Sequence, residues 1–294
     1  MTTCPVCNSR DTTVKRGSTL SGPLLSENLR VTDRSYGSTA LLYRCRSCRF
    51  VFADPEEVHT VVRLYTDLVD LDYEATAKTR RRQMDALVDS IFAYRPQVKT
   101  LLDVGAGIGL MLEAARARGL AAHGVEPSKW MVDTARAREI EGMHEGTIPH
   151  PSLAMSVFDA VTIVDVIEHV EDPVGLLLAA ADYLDANGIL VLVTPDVGSL
   201  PARILGKRWW HYRPAHIGYF DKKSLTHAAE EAGLAVVCRT RASWWFPVGY
   251  VAERVTTFFP ALRLVHHKLT GSRFYGRTVR LNLFDSWLML LEKQ

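Results

Sequence analysis

Asp103 closes an apolar run that begins at Leu101, and three alternate glycines follow it at 105, 107 and 109. With no Cβ, these glycines let the backbone turn tightly and approach a ligand closely. The helical segment beyond them offers unpaired N–H groups at its start. A strand-to-helix turn of this composition is shared by dinucleotide, phosphate and nucleoside binders. Glu126 stands 23 residues beyond Asp103 and ends a second apolar run, Ala121–Val125. An acid in that place can take both hydroxyls of a ribose. A third run, Phe158–Val164, leads into Asp165-Val166-Ile167-Glu168-His169-Val170, a loop dense in ionisable groups. Histidine is the side chain poised for proton transfer near neutral pH.

Four of the five cysteines form two pairs, Cys4/Cys7 and Cys45/Cys48, with two residues inside each pair and 37 between the pairs. Two such turns can present four thiolates to one tetrahedral zinc ion and so close a structural site. Two disulfides are the alternative, and they belong to an oxidising compartment that nothing else in the chain suggests. Asn8 and Arg49 follow the two pairs. Asn tolerates the left-handed backbone of a zinc knuckle better than Arg does, so any irregularity is expected at the second knuckle. The fifth cysteine, Cys238, sits in an apolar strand candidate and reads as an inert core thiol.

The three segments around Asp103, Glu126 and Asp165 together resemble the class I S-adenosylmethionine (SAM)-dependent methyltransferases. The stretch Asp165–Pro173, the pair Thr194-Pro195 and the element His216-Ile217-Gly218-Tyr219-Phe220 resemble the methyltransferase-23-type branch, in which a Cys-rich opening is also familiar. The resemblance implies an α/β fold with a Rossmann-like, doubly wound seven-stranded sheet, mostly parallel, whose last strand is antiparallel. It also implies SAM as methyl donor and S-adenosylhomocysteine (SAH) as product. Asp103 would then accept from the donor's amino group, with Gly105, Gly107 and Gly109 giving close backbone approach and Glu126 taking the ribose. Thr147 and Ile148 would border the adenine, and Asp165 the methyl donor. His169 and His216 fall at the sheet's carboxyl edge as candidate general bases, with His211 a third. The competing reading has His169 satisfying a backbone group at a helix start and His216 anchoring a cap.

These residues need a scaffold, and the hydrophobic pattern supplies one. From residue 98 onward, strand and helix patterns alternate, as in a parallel sheet covered on both faces. Strands are expected near 99–104, 121–125, 142–145, 158–164, 188–193, 234–240 and 283–292, and helices near 109–118, 128–140, 173–185 and 221–232. The expected organisation is a zinc-ribbon-like module over 1–54, a helical linker or lid over 55–97 and the SAM-binding domain over 98–294. Insertions near 198–217 and 243–281 would form a cap; they carry Trp209, Trp210, His211 and Tyr212, then Trp244-Trp245-Phe246 and Phe258-Phe259-Pro260.

With 294 residues, 47% of them hydrophobic and 23% charged, the chain can bury a full core. A net charge of +2 argues against a dedicated nucleic-acid binder. The basic–aromatic run Lys207–Arg213 and the triplet Arg80-Arg81-Arg82 keep an rRNA or tRNA methyltransferase as the alternative. A non-catalytic zinc-ribbon adaptor on the same scaffold is a further alternative. No secretory leader or membrane-length apolar run is visible, so a cytoplasmic protein is expected, with at most peripheral membrane contact through Ala242–Ala252. The leading expectation is methyl transfer to a hydroxyl of a small-molecule or saccharide acceptor, in glycan, lipid-linked sugar or natural-product assembly.

Overall fold

The computed structural model describes residues 2–30, 35–59, 61–71, 73, 76–258, 270, 272 and 274–294. Three strands open the chain: β1 (Thr12–Arg16), β2 (Leu42–Cys45) and β3 (Val51–Ala53). They pair antiparallel in the order β1-β2-β3. The polar stretch between β1 and β2 is mostly irregular, with one 3-10 turn at Ser26–Leu29. Among the described residues, three helices follow: α1 (Pro55–Val58), α2 (Val61–Thr66) and α3 (Ala77–Tyr94). Asp54 starts the first by accepting from the Glu56 N–H with a proline in the opening turn. On α3 the apolar positions Leu87, Val88 and Ile91 are buried at helical spacing.

The central sheet then builds in the alternation expected. It contains β4 (Thr100–Val104), β5 (Ala121–Glu126), β6 (Met143–Glu145), β7 (Phe158–Val164) and β8 (Leu184–Pro195), joined by α4 (Leu110–Arg116), α5 (Lys129–Ala137) and α6 (Pro173–Asp182). After β8 come α7 (Leu200–Leu205), β9 (Gly218–Tyr219), α8 (Lys222–Glu231) and β10 (Leu234–Arg241). The chain ends with β11 (Trp244–Pro247), α9 (Val248–Phe258), β12 (Thr278–Leu281) and β13 (Ser286–Lys293). The seven-stranded order is β10-β13-β8-β7-β4-β5-β6, and only β13 runs antiparallel, inserted between β8 and β10. Central strands are largely apolar because helices cover both faces; Val161, Ile163 and Ile189–Val193 are fully buried. This is the Rossmann-like architecture expected, and its order reverses beside β4, where β7 and β5 flank the glycine turn.

Two features lie beyond what pattern alone specifies. The small sheet has a fourth strand, β9, drawn from far along the chain: Val51 pairs with Tyr219 and Phe52 with Gly218. Phe50 also packs on Phe220, ring centroids 4.5 Å apart and planes tilted by 38°. The cysteine-bearing segment therefore shares one apolar core with α6 and α8 rather than folding beside them. The late insertion is likewise structured, because β11 and β12 pair from Trp244↔Leu281 to Pro247↔Thr278. Trp244, Trp245 and Phe246 are half-buried on that pair, while Phe259 and Pro260 lie outside the described residues. Among the described residues no helix is long and apolar enough to cross a membrane.

Phe50 is 1% exposed, and a Cβ at Gly218 would meet its ring at 2.9 Å, so backbone and ring are in close contact. Phe50→Ala is expected to cost about 3–5 kcal/mol in urea unfolding. A loss under about 1 kcal/mol would show that the small sheet and the large one are not energetically joined.

Candidate methyl-donor site and zinc centre

The glycine turn after β4 is built by geometry that side chains cannot reproduce. Gly105 has φ +75°, and a Cβ there would lie 2.4 Å from Val166 Cγ2. Gly107 has φ +54°, and its N–H donates to Glu126 Oε2 at 2.8 Å. The other carboxylate oxygen of Glu126 accepts from the Ser128 N–H at 2.9 Å. Ser128 in turn caps α5, its Oγ accepting from the Met131 N–H. One buried carboxylate thus ties the turn after β4 to the turn after β5.

Asp103, Gly105, Gly107, Glu126, Thr147, Ile148, Asp165 and His169 all line one cavity of about 700 Å³ at the carboxyl edge of the sheet. Three expected residues do not: Gly109, His216 and the third histidine candidate, His211. Gly109 starts α4 with φ +78° and packs against Ile140, which a Cβ would meet at 2.9 Å, so it serves helix entry rather than the cavity wall. His216 sits behind His169 in an edge-on ring contact, centroids 4.7 Å apart, away from the cavity.

The cavity is strongly acidic. Burial pushes Asp103 up to about 7, against the opposing hydrogen bond from Thr162 Oγ1 at 2.6 Å, and nearby Glu126 adds to the rise. Burial likewise raises Glu126 and brings Asp165 up to about 6. Glu168 is held well above the usual carboxylate range by burial and by Asp165; one oxygen accepts from Thr194 Oγ1 at 2.9 Å. Its other oxygen has no partner among the described residues. Asp165 is also a non-glycine residue with φ +54°, a conformation of the kind that recurs at functional sites. A wall of closely placed, desolvated carboxylates favours a cationic ligand. SAM carries an ammonium and a sulfonium, so these residues suit it.

His169 behaves in the opposite sense. Burial drives it down to about 4, so it is neutral at physiological pH. Its Nδ1 lies 2.7 Å from the Ala215 carbonyl and 2.6 Å from the Tyr65 hydroxyl. A carbonyl can only accept, so Nδ1 carries the proton and Nε2 keeps its lone pair. His211 lies 3.2 Å from Asp285 through Nε2. Glu168, His169 and His216 form a compact group whose ligand-type atoms lie within 4.8 Å of one another.

The helices before β4 supply a wall that pattern reading missed. Tyr65, Tyr73, Arg80 and Gln83 all line the cavity. Arg80 lies over the Tyr73 ring at 4.4 Å and is tied to Thr76 Oγ1 at 2.9 Å. The triplet Arg80-Arg81-Arg82 therefore does not act as one charged patch: Arg81 pairs with Asp85 and Glu113, and Arg82 is exposed. The triplet was a signal in the sequence, but helical phase divides it among three directions. The basic–aromatic run 207–213 is similarly divided, with Trp209 at 0% and Tyr212 at 8% exposure. Those rings pack the cap and offer no open face to a base.

A family model described as a methyltransferase domain, of the methyltransferase-23 type, matches residues 76–239. The chain belongs to that family. The ubiquinone biosynthesis O-methyltransferase of Xanthomonas campestris pv. campestris is 31% identical over 130 residues, covering 38% of this chain and 54% of that protein. Its namesake in Dinoroseobacter shibae is 28% identical over 149 residues, covering 47% of this chain and 60% of that protein. The chain thus spans about half the length of the curated relatives it matches. Among solved structures, a SAM-dependent methyltransferase from Archaeoglobus fulgidus superimposes with a TM-score of 0.51 at 18% identity, over 76% of this chain and 100% of that one. The PH0226 protein from Pyrococcus horikoshii OT3 gives 0.50 at 16% identity, over 78% and 95%. These likenesses establish the fold.

The four N-terminal thiols come together although their pairs are far apart in sequence. Cys4 and Cys48 sulfurs are 3.6 Å apart, those of Cys7 and Cys45 3.5 Å, and all four lie within 4.8 Å of one another. A disulfide needs about 2.05 Å, whereas thiolates about 2.3 Å from a tetrahedral zinc stand about 3.8 Å apart. The donor set therefore fits zinc. The expected irregularity at the second knuckle is absent: Asn8 and Arg49 both take positive φ, at 56° and 74°. Arg49 is held there by its 2.9 Å pair with Asp221, a contact that only the folded chain provides.

Two outcomes follow. If Asp103 receives the ligand's ammonium, SAH affinity measured by calorimetry is expected to fall as pH drops below about 7, by up to about tenfold per unit, as the carboxylate is protonated. A flat profile from pH 7.5 to 5.5 would separate Asp103 from the donor. Metal removal by a chelator, or Cys45→Ser with Cys48→Ser, is expected to lower the melting temperature by several degrees, with SAH affinity per folded molecule retained. An unchanged melting temperature would remove the structural role of the cysteines.

Proposed function

We propose that this chain is a SAM-dependent methyltransferase acting at a hydroxyl of a small organic acceptor, with His169 as general base. The observation that carries the reading is the pairing of opposites in one cavity. Asp103, Glu126 and Asp165 offer negative charge, and beside them stands a neutral imidazole with a free lone pair.

Asp103 would hold the donor's amino group, Glu126 the ribose hydroxyls, and the Gly146–Ile148 turn the adenine edge. Arg80, the cation facing the cavity from α3, suits the donor's carboxylate. Bound SAM supplies a methyl carbon already activated by the sulfonium. What the chain must add is alignment of the acceptor oxygen and a place for its proton. His169 Nε2 takes that proton as the oxygen–carbon bond forms and the carbon–sulfur bond breaks. The imidazolium so formed stands beside Glu168, and the Ala215 carbonyl keeps the ring in orientation. His216 would act through His169, holding the ring edge-on and excluding water from it. The ribbon would be structural, and the cap from 198–217 would shape the acceptor side. The similar proteins are ubiquinone biosynthesis O-methyltransferases, which agrees in reaction type; a saccharide or lipid-linked acceptor is a narrower form of the same reading.

Asp103→Asn is expected to lower SAH affinity at least tenfold at pH 8 with the fold intact by circular dichroism. With any acceptor found by transfer of labelled methyl, His169→Gln should keep SAH affinity and lower kcat by about 10²–10⁴-fold. Full turnover in His169→Gln would leave alignment as the whole mechanism.

A further inference from the structure

A second concave region lies away from the donor cavity, where the cysteine-bearing sheet meets the β8–β13–β10 side of the large sheet. It consists of two hollows, of about 850 and 400 Å³, that share Arg49, Gly198, Arg203 and Asp221 as a common wall. Their charge is lopsided. Among the described residues, ten lysines and arginines line them against three carboxylates, although the whole chain carries 35 basic and 33 acidic side chains. The rest of the molecule is therefore net acidic, and the positive charge is gathered in this cleft.

Six of the ten are arginines, contributed by both sides: Arg16, Arg44 and Arg49 from the small sheet, and Arg203, Arg239 and Arg241 from the large domain. Two of the three carboxylates are spoken for, Asp221 by Arg49 at 2.9 Å and Asp196 by Arg241 at 2.8 Å. Two of the guanidinium groups are only partly satisfied: Arg16 donates through Nη2 to the Gly37 carbonyl, and Arg239 through Nη2 to Thr226 Oγ1 at 3.0 Å. Nε and Nη1 of Arg16 and Nε of Arg239 are shielded from water without a hydrogen-bond partner among the described residues. Unpaired N–H groups are costly as they stand, and rotation of either side chain toward an acceptor in the cleft would satisfy them. The planar fork of arginine matches the oxygens of a phosphate, two at a time.

We propose that this cleft is a binding site for a compact phosphate-bearing ligand, with two phosphates close together as in a diphosphate ester. The two hollows meeting at Arg49 and Arg203 give room for such a pair, with both arginines reaching either side. A polynucleotide is the less suitable occupant. Strand-tracking grooves expose aromatic faces on which bases stack, and here the two large rings are covered. Arg241 lies 3.5 Å over Trp287 and Arg16 lies 4.9 Å over Tyr212. None of the cleft's ten cations belongs to the donor cavity, so the proposal stands whether or not SAM binds as described above.

The test uses the full, zinc-loaded chain with inorganic pyrophosphate at low ionic strength, where screening is weakest, followed by calorimetry and by the fluorescence of the tryptophans. Arg203 is exposed on α7, so Arg203→Glu leaves the packing alone, and SAH affinity reports that the fold is kept. Expected are saturable binding of one pyrophosphate and a loss of about tenfold or more in Arg203→Glu and in Arg239→Gln, each with unchanged SAH affinity. Orthophosphate should bind more weakly than pyrophosphate. Absence of saturable binding, or binding indifferent to both substitutions, would overturn the site. Tight binding of a short single-stranded RNA in place of pyrophosphate would overturn the ligand class.

Discussion

The carboxylate of Glu126 is the constraint on which the donor site depends. It is 5% exposed and accepts one N–H from Gly107 and one from Ser128. Those two bonds hold the turn after β4 against the turn after β5 across the point where strand order reverses. A charge in that position is expensive to bury, and the backbone donors compensate for part of the cost. Its presence then raises its neighbour Asp103, so the two acids are coupled before any ligand arrives. Such a site is preorganised for positive charge, because the unfavourable neighbours are already fixed by the sheet and a cation relieves them.

A second dependence runs through the small sheet. Four thiols are placed at zinc-binding distances by two knuckles, and the strand that follows the second knuckle pairs with β9. The chain on either side of β9 carries Ala215, whose carbonyl orients His169, and Asp221, which caps α8 and pairs with Arg49. The cysteine cluster, His169 and the basic cleft are therefore linked through about seven residues of backbone, from 215 to 221. An interior packed this closely transmits displacements rather than absorbing them. That gives the cysteine cluster a mechanical bearing on the site without any chemical part in it.

Much of the core was legible because strand and helix periods are strong where helices cover a sheet on both faces. The positions of Asp103 and Glu126 followed from strand ends, and the cavity does bring them together. Gly109 and His216 show the limit of motif reading: each lies near the site in sequence, but helix entry and ring stacking direct them elsewhere. Tyr65, Tyr73 and Arg80 were hidden for the converse reason. They precede the sheet in the chain, and their facing depends on how α2 and α3 dock.

Taken alone, the sequence determined what local physics controls: the order of strands and helices, the glycine turn, the acids at strand ends and the paired cysteines. Tertiary structure decided everything that requires residues distant in the chain to meet. It set β9 against β3, turned Trp209 and Tyr212 inward, and gave Arg49 the Asp221 partner that holds its left-handed backbone. It also gathered ten cations into one cleft of a nearly neutral chain. Periodicity and turn chemistry act over a few residues, whereas desolvation and charge pairing are set by which surfaces the completed fold brings into contact.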